Sequence, residues 1–200
     1  MLSENYFEKF FEVLSKTIVT RRSSKRENPS LNEAVENIIA SLLKNHRNGK
    51  KVIIIGNGGS AAIAMHVLVD YTNAGLRTAD LMNPALLTCM SNDHGYENVF
   101  AKPIEIFADK NDILFAISSS GKSQNILKAC EAAKQKNCQV ITFSGFDVSN
   151  PLRKAGRLNF YVPSSHYGFV ELAHQTLLHC ISDFLQLERR TLKKEVDFYE

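Results

Sequence analysis

The sequence predicts an α/β fold: a doubly wound parallel sheet of five strands with helices on both faces, preceded by an N-terminal helical hairpin. A chain of 200 residues that is 44% apolar can bury one core, whereas two domains would be cramped. Short runs rich in β-branched and aromatic residues alternate with stretches of helical periodicity. Four of these runs are apolar almost throughout, which is typical of strands covered on both faces: 52–56, 113–117, 139–144 and 158–162.

The N-terminal region predicts two helices. Residues 3–20 carry apolar side chains at helical spacing, which make one face: Phe7, Phe10, Phe11, Leu14 and Ile18. Ser30 and Glu33 fit a capping box, so a second helix is expected to begin there and to end near Asn48. We therefore expect one domain over residues 1–200, with N-terminal helices in 1–48 and an αβα core in 51–190.

The fifth predicted strand has the weakest sequence signal of the five. Its candidate segment is 78–82, followed by an apolar run at 86–90 and a polar loop at 91–95. In doubly wound sheets ligands collect beyond the carboxyl ends of the strands, so the loops at those ends are where a site is expected.

Charge and composition narrow the classes of partner. The net charge of only +3 does not indicate a nucleic-acid partner. No apolar run approaches the ~18 residues that are needed to span a bilayer. The basic cluster Arg21–Arg26 is predicted to be a solvated connector, with a partner-binding patch as the alternative. Four cysteines without CxxC spacing predict reduced thiols in a cytoplasmic protein.

The turn after the first strand, Asn57-Gly58-Gly59-Ser60, has the features of a ligand cradle. Glycines let the backbone approach a ligand closely, and the helix expected from about Ala61 offers free N–H groups and a positive dipole. The spacing is not GxGxxG and a Walker lysine is absent, which disfavours dinucleotides and nucleoside triphosphates. A purely structural turn is the alternative.

A second cradle follows the strand at 113–117. Ser118-Ser119-Ser120-Gly121-Lys122-Ser123 leads into a helix predicted at 124–136. Hydroxyls and N–H groups at a helix start suit a phosphate monoester, and the alternative is a serine-rich turn with an N-cap. Because both loops share the order strand, polar loop, helix, we predict a phosphorylated small molecule as the ligand. In the loop at 91–95, Asn92 and Asp93 could hold sugar hydroxyls or simply form a turn.

Two histidines and two acids are the candidate acid/base or metal-binding groups. His66 and Asp70 are four residues apart on one predicted helix, so they share a face. Glu171 and His179 are eight apart, about 12 Å along a continuous helix, which is too far for one ion unless Glu171 reaches inward. A half-buried His66 and a core His179 are the structural alternatives.

Taken together, GNGGSAA with its following His, SNDHGYENVF, AISSSGKSQN and the late helix with Glu171 and His179 resemble the sugar isomerase (SIS) domain. Within it they are similar to the phosphoheptose isomerase family, over nearly the whole chain to about residue 187. The resemblance implies a flavodoxin-like αβα sandwich and a homotetramer with active sites between subunits. It implies interconversion of sedoheptulose 7-phosphate and D-glycero-D-manno-heptose 7-phosphate through an enediol(ate), for heptose and surface polysaccharide synthesis.

The resemblance also implies roles for individual residues. The sugar would be contacted by Asn57, Gly58, Gly59, Ser60, Asn92 and Asp93, and the phosphate by Ser118, Ser119, Ser120 and Ser123. The metal position, where Zn²⁺ is often bound, would be formed by His66, Asp70, Glu171 and His179. Asp70, Glu171 and His179 would be catalytic, with Asp70 or Glu171 as the general base. Two of these depart from the family pattern, since Asp70 replaces a Glu and Glu171 replaces a Gln.

Two other functions stay open at this point. One is a non-catalytic phosphosugar-binding adaptor of the kind that binds a replication-initiator protein, and the other is an isomerase of a different sugar phosphate. The presence of two histidines and two acids favours an enzyme, because a pure binder does not need them. The cradle loops recognise the phosphate and not the chain length, so they do not distinguish between sugars.

Overall fold

The computed structural model describes residues 2–22 and 27–192, and within them a central sheet of six strands. These are β1 (Ile18–Arg21), β2 (Lys51–Ile55), β3 (Arg77–Ala79), β4 (Ile113–Ser118), β5 (Gln139–Ser144) and β6 (Leu158–Tyr161). The strand order is β1-β6-β5-β4-β2-β3, and every neighbouring pair is parallel except β1 with β6. The α/β class is confirmed, and the count of five strands is wrong by one.

The helices cover both faces of this sheet. They are α1 (Leu2–Ser15), α2 (Leu31–Arg47), α3 (Gly59–Asn73), α4 (Pro84–His94), α5 (Ala101–Phe107), α6 (Gln124–Gln135) and α7 (Tyr167–Leu192). The α7 helix packs against α1, α2 and α3, whereas α5 and α6 pack against each other. The chain moves from β2 through α3 to β3 on one side, and from β4 through α6 to β5 on the other. Right-handed crossovers in opposite directions put α3 and α6 on opposite faces.

The additional strand corrects the prediction for the N-terminus. The predicted helix at 3–20 ends at Ser15, and Ile18–Arg21 form β1, which pairs antiparallel with β6 at the sheet edge. Ile18 fits the helical period, but the sequence Ile-Val-Thr is β-branched and favours an extended backbone. The helical hairpin is therefore wrong, because a strand separates the two helices. Of the basic cluster, Arg21 ends β1, and residues 23–26 lie outside the described ranges.

The apolar run at 86–90 belongs to a helix and is not part of a strand region. Asn83 caps α4 by accepting hydrogen bonds from the backbone N–H groups of Ala85 and Leu86, and Pro84 follows as its first residue. An Asn cap followed by Pro is a helix-start signal. The polar segment expected to be a loop at 91–95 consequently forms the last turn of α4, with Asn92 and Asp93 on it.

The strand predicted at 78–82 is β3 at Arg77–Ala79, and the helix predicted from about Ala61 begins at Gly59. Ser30 and Glu33 form the expected capping box of α2, and α6 begins at Gln124 as expected. All four cysteines are free thiols. Among the described helices, none combines the length and apolarity that crossing a membrane requires.

Candidate functional site

A cavity of about 220 Å³ lies beyond the carboxyl ends of β2 and β4. These strands are neighbours, with Ile55 in register with Ala116, so the loops that follow them meet. The cavity is lined by Asn57, Gly58, Gly59, Ser60, Ser118, Ser119, Ser120, Ser123, Tyr167 and Glu171. The two cradles predicted from the sequence therefore face one another across one cavity, at the point where chain connections diverge in a doubly wound sheet.

Two helices begin at this cavity without side-chain caps. Gly58 precedes α3 with a φ of 53° and has no side chain to cap it. Ser123 precedes α6 but does not cap it, because its hydroxyl shares a 3.2 Å hydrogen bond with that of Ser118. The Ser119 hydroxyl is buried and has no hydrogen-bond partner in the described structure. Free N–H groups, helix dipoles and an unpaired hydroxyl together make a site for an anion.

Glu171 provides the single charged side chain among the residues that line the cavity. It reaches from α7 to the first turn of α3, where a Cβ on Gly59 would lie 2.5 Å from either carboxylate oxygen. A larger residue at position 59 would therefore require the Glu171 carboxylate to move away from the start of α3. The carboxylate lies against the positive end of the α3 dipole, which is a favourable position for an anion.

A cluster of His66, Asp70 and His179 lies farther along the same pair of helices. The two Nε2 atoms are 3.0 Å apart, and Asp70 Oδ2 lies 3.5 Å from His66 Nε2 and 3.4 Å from His179 Nδ1. His66 and Asp70 share a face of α3 as their spacing predicts. Both imidazoles are partly exposed, so ligands can reach the cluster.

The donor set of this cluster fits a divalent metal. Candidate ligand atoms of the three side chains lie within 4.8 Å of one another. Bonds of about 2.0–2.1 Å to Zn²⁺ put tetrahedral donors roughly 3.3 Å apart. The distance from His66 Nε2 to Asp70 Oδ2 is 3.5 Å, whereas His179 is near His66 through Nε2 and near Asp70 through Nδ1, so a small movement of its ring would bring one nitrogen to the ion. Asp70 Oδ2 is buried without a hydrogen-bond partner in the described structure, as expected of an atom reserved for an ion or a ligand.

The fourth expected metal ligand, Glu171, is not part of this cluster. Gly59 lies next to Glu171, whereas His66 and Asp70 lie next to His179, so α3 and α7 run side by side in the same direction. Eight residues of α7 separate Glu171 from His179, about 12 Å along the axis. The residues predicted for one crevice therefore form two centres, the cavity and the His/Asp/His cluster, along one pair of helices.

The residues predicted to contact the sugar divide between the cavity and α4. Asn57, Gly58, Gly59 and Ser60 line the cavity, as do the four serines predicted for the phosphate. Asn92 and Asp93 are exposed at the end of α4, where Asn92 donates a 2.9 Å hydrogen bond to Asp93, and they are not among the lining residues. Their sugar contact stays a prediction.

Three residues at the site were missed by sequence reasoning. Tyr167 lines the cavity, and its ring packs edge-on against Phe146, whose φ of 59° is unusual for a bulky residue. Asn125 and Tyr96 hydrogen-bond to Asn57. Asn125 and Tyr96 each stand in a motif used for the resemblance, but nothing in their spacing indicates that they meet.

Comparisons with known proteins agree with this geometry. A sequence profile described as the SIS domain matches residues 6–145. Phosphoheptose isomerase from Helicobacter hepaticus is 34% identical over 169 residues, covering 80% of this chain and 83% of that protein. The structure of a phosphoheptose isomerase from Francisella tularensis superposes with a TM-score of 0.78 at 25% identity, covering 92% of this chain and 96% of that one. The structure of phosphoheptose isomerase from Neisseria gonorrhoeae superposes with a TM-score of 0.77 at 26% identity, covering 92% of this chain and 99% of that one.

The fold and the anion cavity define an α/β protein of the SIS-domain class. Within that class, the chain belongs to the phosphoheptose isomerase family.

A buried histidine next to the site makes stability depend on pH. His174 on α7 is fully buried, its Nε2 lies 3.2 Å from the Ser144 carbonyl, and burial lowers its pKa to about 4. The unfolded chain takes up a proton near pH 6.5 and the folded one does not, so stability falls as pH decreases from about 6.5 towards 4. When the pH falls from 7 to 5, we expect the titration of His174 to lower the free energy of unfolding by about 2 kcal/mol.

Urea unfolding at both pH values measures this loss. The matched protein is His174→Gln, which keeps a polar side chain that does not titrate. Between pH 7 and pH 5, the free energy of unfolding of this variant should fall by about 2 kcal/mol less than that of the parent. Equal losses in the two proteins would show that His174 is not the group responsible.

Proposed function

We propose that the protein interconverts sedoheptulose 7-phosphate and D-glycero-D-manno-heptose 7-phosphate. The observation that carries the proposal is the arrangement of two centres along α3 and α7: an anion cavity at one end, and a cluster of proton-carrying groups about 10–12 Å farther along. An extended seven-carbon sugar phosphate has a length of this order. The names of the relatives support the same activity.

The phosphate would bind in the serine loop at the start of α6. Ser118, Ser119, Ser120 and Ser123 offer hydroxyls, and the uncapped helix start offers backbone N–H groups. Glu171 repels a second anionic group at the α3 end of the cavity and can accept hydrogen bonds from sugar hydroxyls. The phosphate is therefore directed towards α6, and the rest of the sugar extends along α3 and α7 towards His66, Asp70 and His179.

The proton transfers would be carried out at the cluster. Asp70 removes the proton from the carbon next to the carbonyl, and the electron pair of that C–H bond forms the double bond of an enediol(ate). Returning the proton to the neighbouring carbon gives the other isomer, while His179 moves a proton between the two oxygens. His66 orients Asp70, whose Oδ2 lies 3.5 Å from its Nε2. No external oxidant or reductant is needed, because the reaction is internal.

The donor atoms of His66, Asp70 and His179 would also suit a Zn²⁺ ion. Atoms that coordinate the ion would not transfer protons at the same time, so the roles described above are those of the metal-free cluster. When bound, the ion would act as a Lewis acid that stabilises negative charge on the substrate oxygens. The free thiols are consistent with a cytoplasmic protein, since thiols stay reduced in that compartment.

Proton NMR with sedoheptulose 7-phosphate in D₂O tests the proposed reaction. We expect aldose signals and incorporation of deuterium at C2. Asp70→Asn should lower kcat by roughly 10²–10⁴-fold, because it removes a general base. Asp183→Asn is the matched control on exposed α7 surface and should keep full activity. A parent protein that binds the sugar phosphate without turnover would favour the non-catalytic binder instead.

Zinc binding is tested by metal content after dialysis, independently of activity. The parent should retain close to one Zn²⁺ per chain. His66→Ala should weaken binding by at least about tenfold, because it removes a first ligand. His94→Ala, an exposed histidine on α4, is the control and should retain the metal. Equal retention by both variants would contradict the proposed ligand set.

A second copy of the chain would cover the exposed face that carries the cluster. Met65 and Val69 flank His66 on α3 and are 54% and 53% exposed, and Leu172 on α7 is 45% exposed. An apolar rim around a partly exposed reaction centre is expected where a partner subunit completes the site. We propose a homotetramer with its active sites at such interfaces.

Light scattering on size-exclusion fractions measures this assembly. The parent should have about four times the chain mass of 22.4 kDa. Val69→Glu should shift it to smaller species and lower activity, because it buries a charge in the interface. Ile106→Glu, 67% exposed on α5, a helix that packs against α6, should change neither. A monomeric, fully active parent would refute the tetramer while leaving the isomerase proposal intact.

A further inference from the structure

We propose that Asn125 and Tyr96 are positioning residues, which hold the two sides of the cavity in register through Asn57. The inference rests on the proposed function only in assuming that this cavity binds the phosphate of a sugar phosphate. Neither residue was expected to have a role on sequence grounds.

Asn57 and Asn125 form a reciprocal pair of amide hydrogen bonds. Asn57 Nδ2 donates to Asn125 Oδ1, and Asn125 Nδ2 donates to Asn57 Oδ1, both at 2.9 Å. Asn125 is only 3% exposed, so water competes little for these bonds. Asn125 Oδ1 also accepts a 3.0 Å hydrogen bond from the Ile126 N–H. Displacing either amide would break several of these hydrogen bonds together, so the pair favours one geometry.

Tyr96 completes the hydrogen bonding of the same oxygen. Its hydroxyl donates a 3.0 Å hydrogen bond to Asn57 Oδ1, which already accepts one from Asn125. A carbonyl oxygen has two lone pairs, so this acceptor is saturated. The Asn57 oxygen is therefore not available to a ligand, and its role is to locate the turn that carries it.

The elements joined at this oxygen are those that form the cavity. Asn57 lies between β2 and α3, Asn125 is the second residue of α6, and Tyr96 begins the short helical turn Tyr96–Asn98. That turn is tied to α6 as well, because Lys128 donates a 3.1 Å hydrogen bond to Asn98. The start of α3 is thus attached to the start of α6 by side chains from three segments.

The turn requires such an attachment because its own backbone is permissive. Gly58 and Gly59 follow Asn57, and glycine has a wide range of accessible conformations. If one phosphate binds in this cavity, both helix starts must be held in place for their N–H groups to act together, and small misplacements of binding groups are costly. Asn125 and Tyr96 supply through Asn57 the constraint that the glycines lack.

A double-mutant cycle on inorganic phosphate binding tests the inference. The proteins are the parent, Tyr96→Phe, Asn125→Ala and the double variant, with Kd measured by calorimetry and KM by the isomerase assay. Without this hydrogen bond the Asn57 turn must be ordered when phosphate binds, so Tyr96→Phe should weaken phosphate binding about fivefold, and Asn125→Ala should weaken it more. Both substitutions act through Asn57, so their effects should overlap. The Kd of the double variant for phosphate should therefore exceed that of Asn125→Ala by clearly less than fivefold. Because neither residue touches the reacting carbons, KM should change more than kcat.

The controls separate positioning from a general loss of structure. Tyr6→Phe also removes a tyrosine hydroxyl, but from α1 outside the cavity, and should leave Kd unchanged. If Asn125→Ala does not fold, the Kd of Tyr96→Phe alone tests the inference. This variant should fold, because it removes only the hydroxyl of an exposed tyrosine. Unchanged Kd in Tyr96→Phe, or effects that multiply fully in the double variant, would overturn the inference. Phosphate binding by a parent that lacks isomerase activity would refute the proposed function alone, because the Kd cycle can still be completed.

Discussion

The site depends on one constraint: two helices begin at neighbouring strands, and neither start is capped by its own side chain. The starts of α3 and α6 both adjoin the same small cavity because β2 and β4 are adjacent in the sheet. Unpaired N–H groups are costly unless water or a ligand satisfies them. The serine hydroxyls, the glycine turn and the amide pair that joins Asn57 to Asn125 all serve to present these groups to an anion.

The electrostatics of the cavity rest on dipoles and not on cations. No Lys or Arg is among its lining residues, and the one formal charge there is the carboxylate of Glu171. A phosphate in this position would be held by directed hydrogen bonds, which select its geometry as well as its charge. The negative charge of Glu171 at the α3 start would shift a bound anion towards the α6 start, while the α3 start would still contribute to binding it.

Local signals predicted much of the fold and of the site. A buried strand followed by a Gly- or Ser-rich loop and a helix can be recognised within twenty residues, and the positions of Asn57 and Ser118 follow from it. The four-residue spacing of His66 and Asp70 and the eight-residue spacing of Glu171 and His179 predicted which pair meets on one helix and which is separated. Strand β1 was missed because Ile18 also fits the helical period, and α4 because a short apolar run does not distinguish strand from helix. The contacts of Tyr96 and Asn125 with Asn57 depend on tertiary packing, which spacing does not encode.

The two departures from the family pattern have different structural consequences. Asp70 is one methylene shorter than a Glu, yet its Oδ2 lies within 3.5 Å of both imidazoles, so the shorter side chain still reaches its partners. The cluster is therefore complete without a longer carboxylate. Glu171 lies at the start of α3, where the dipole favours its negative charge and where a Gln would have none to be stabilised. Its charge is thus accommodated by the cavity and not by the His/Asp/His cluster. In the proposed binding mode it would lie beside the part of the ligand between the phosphate and the reacting carbons.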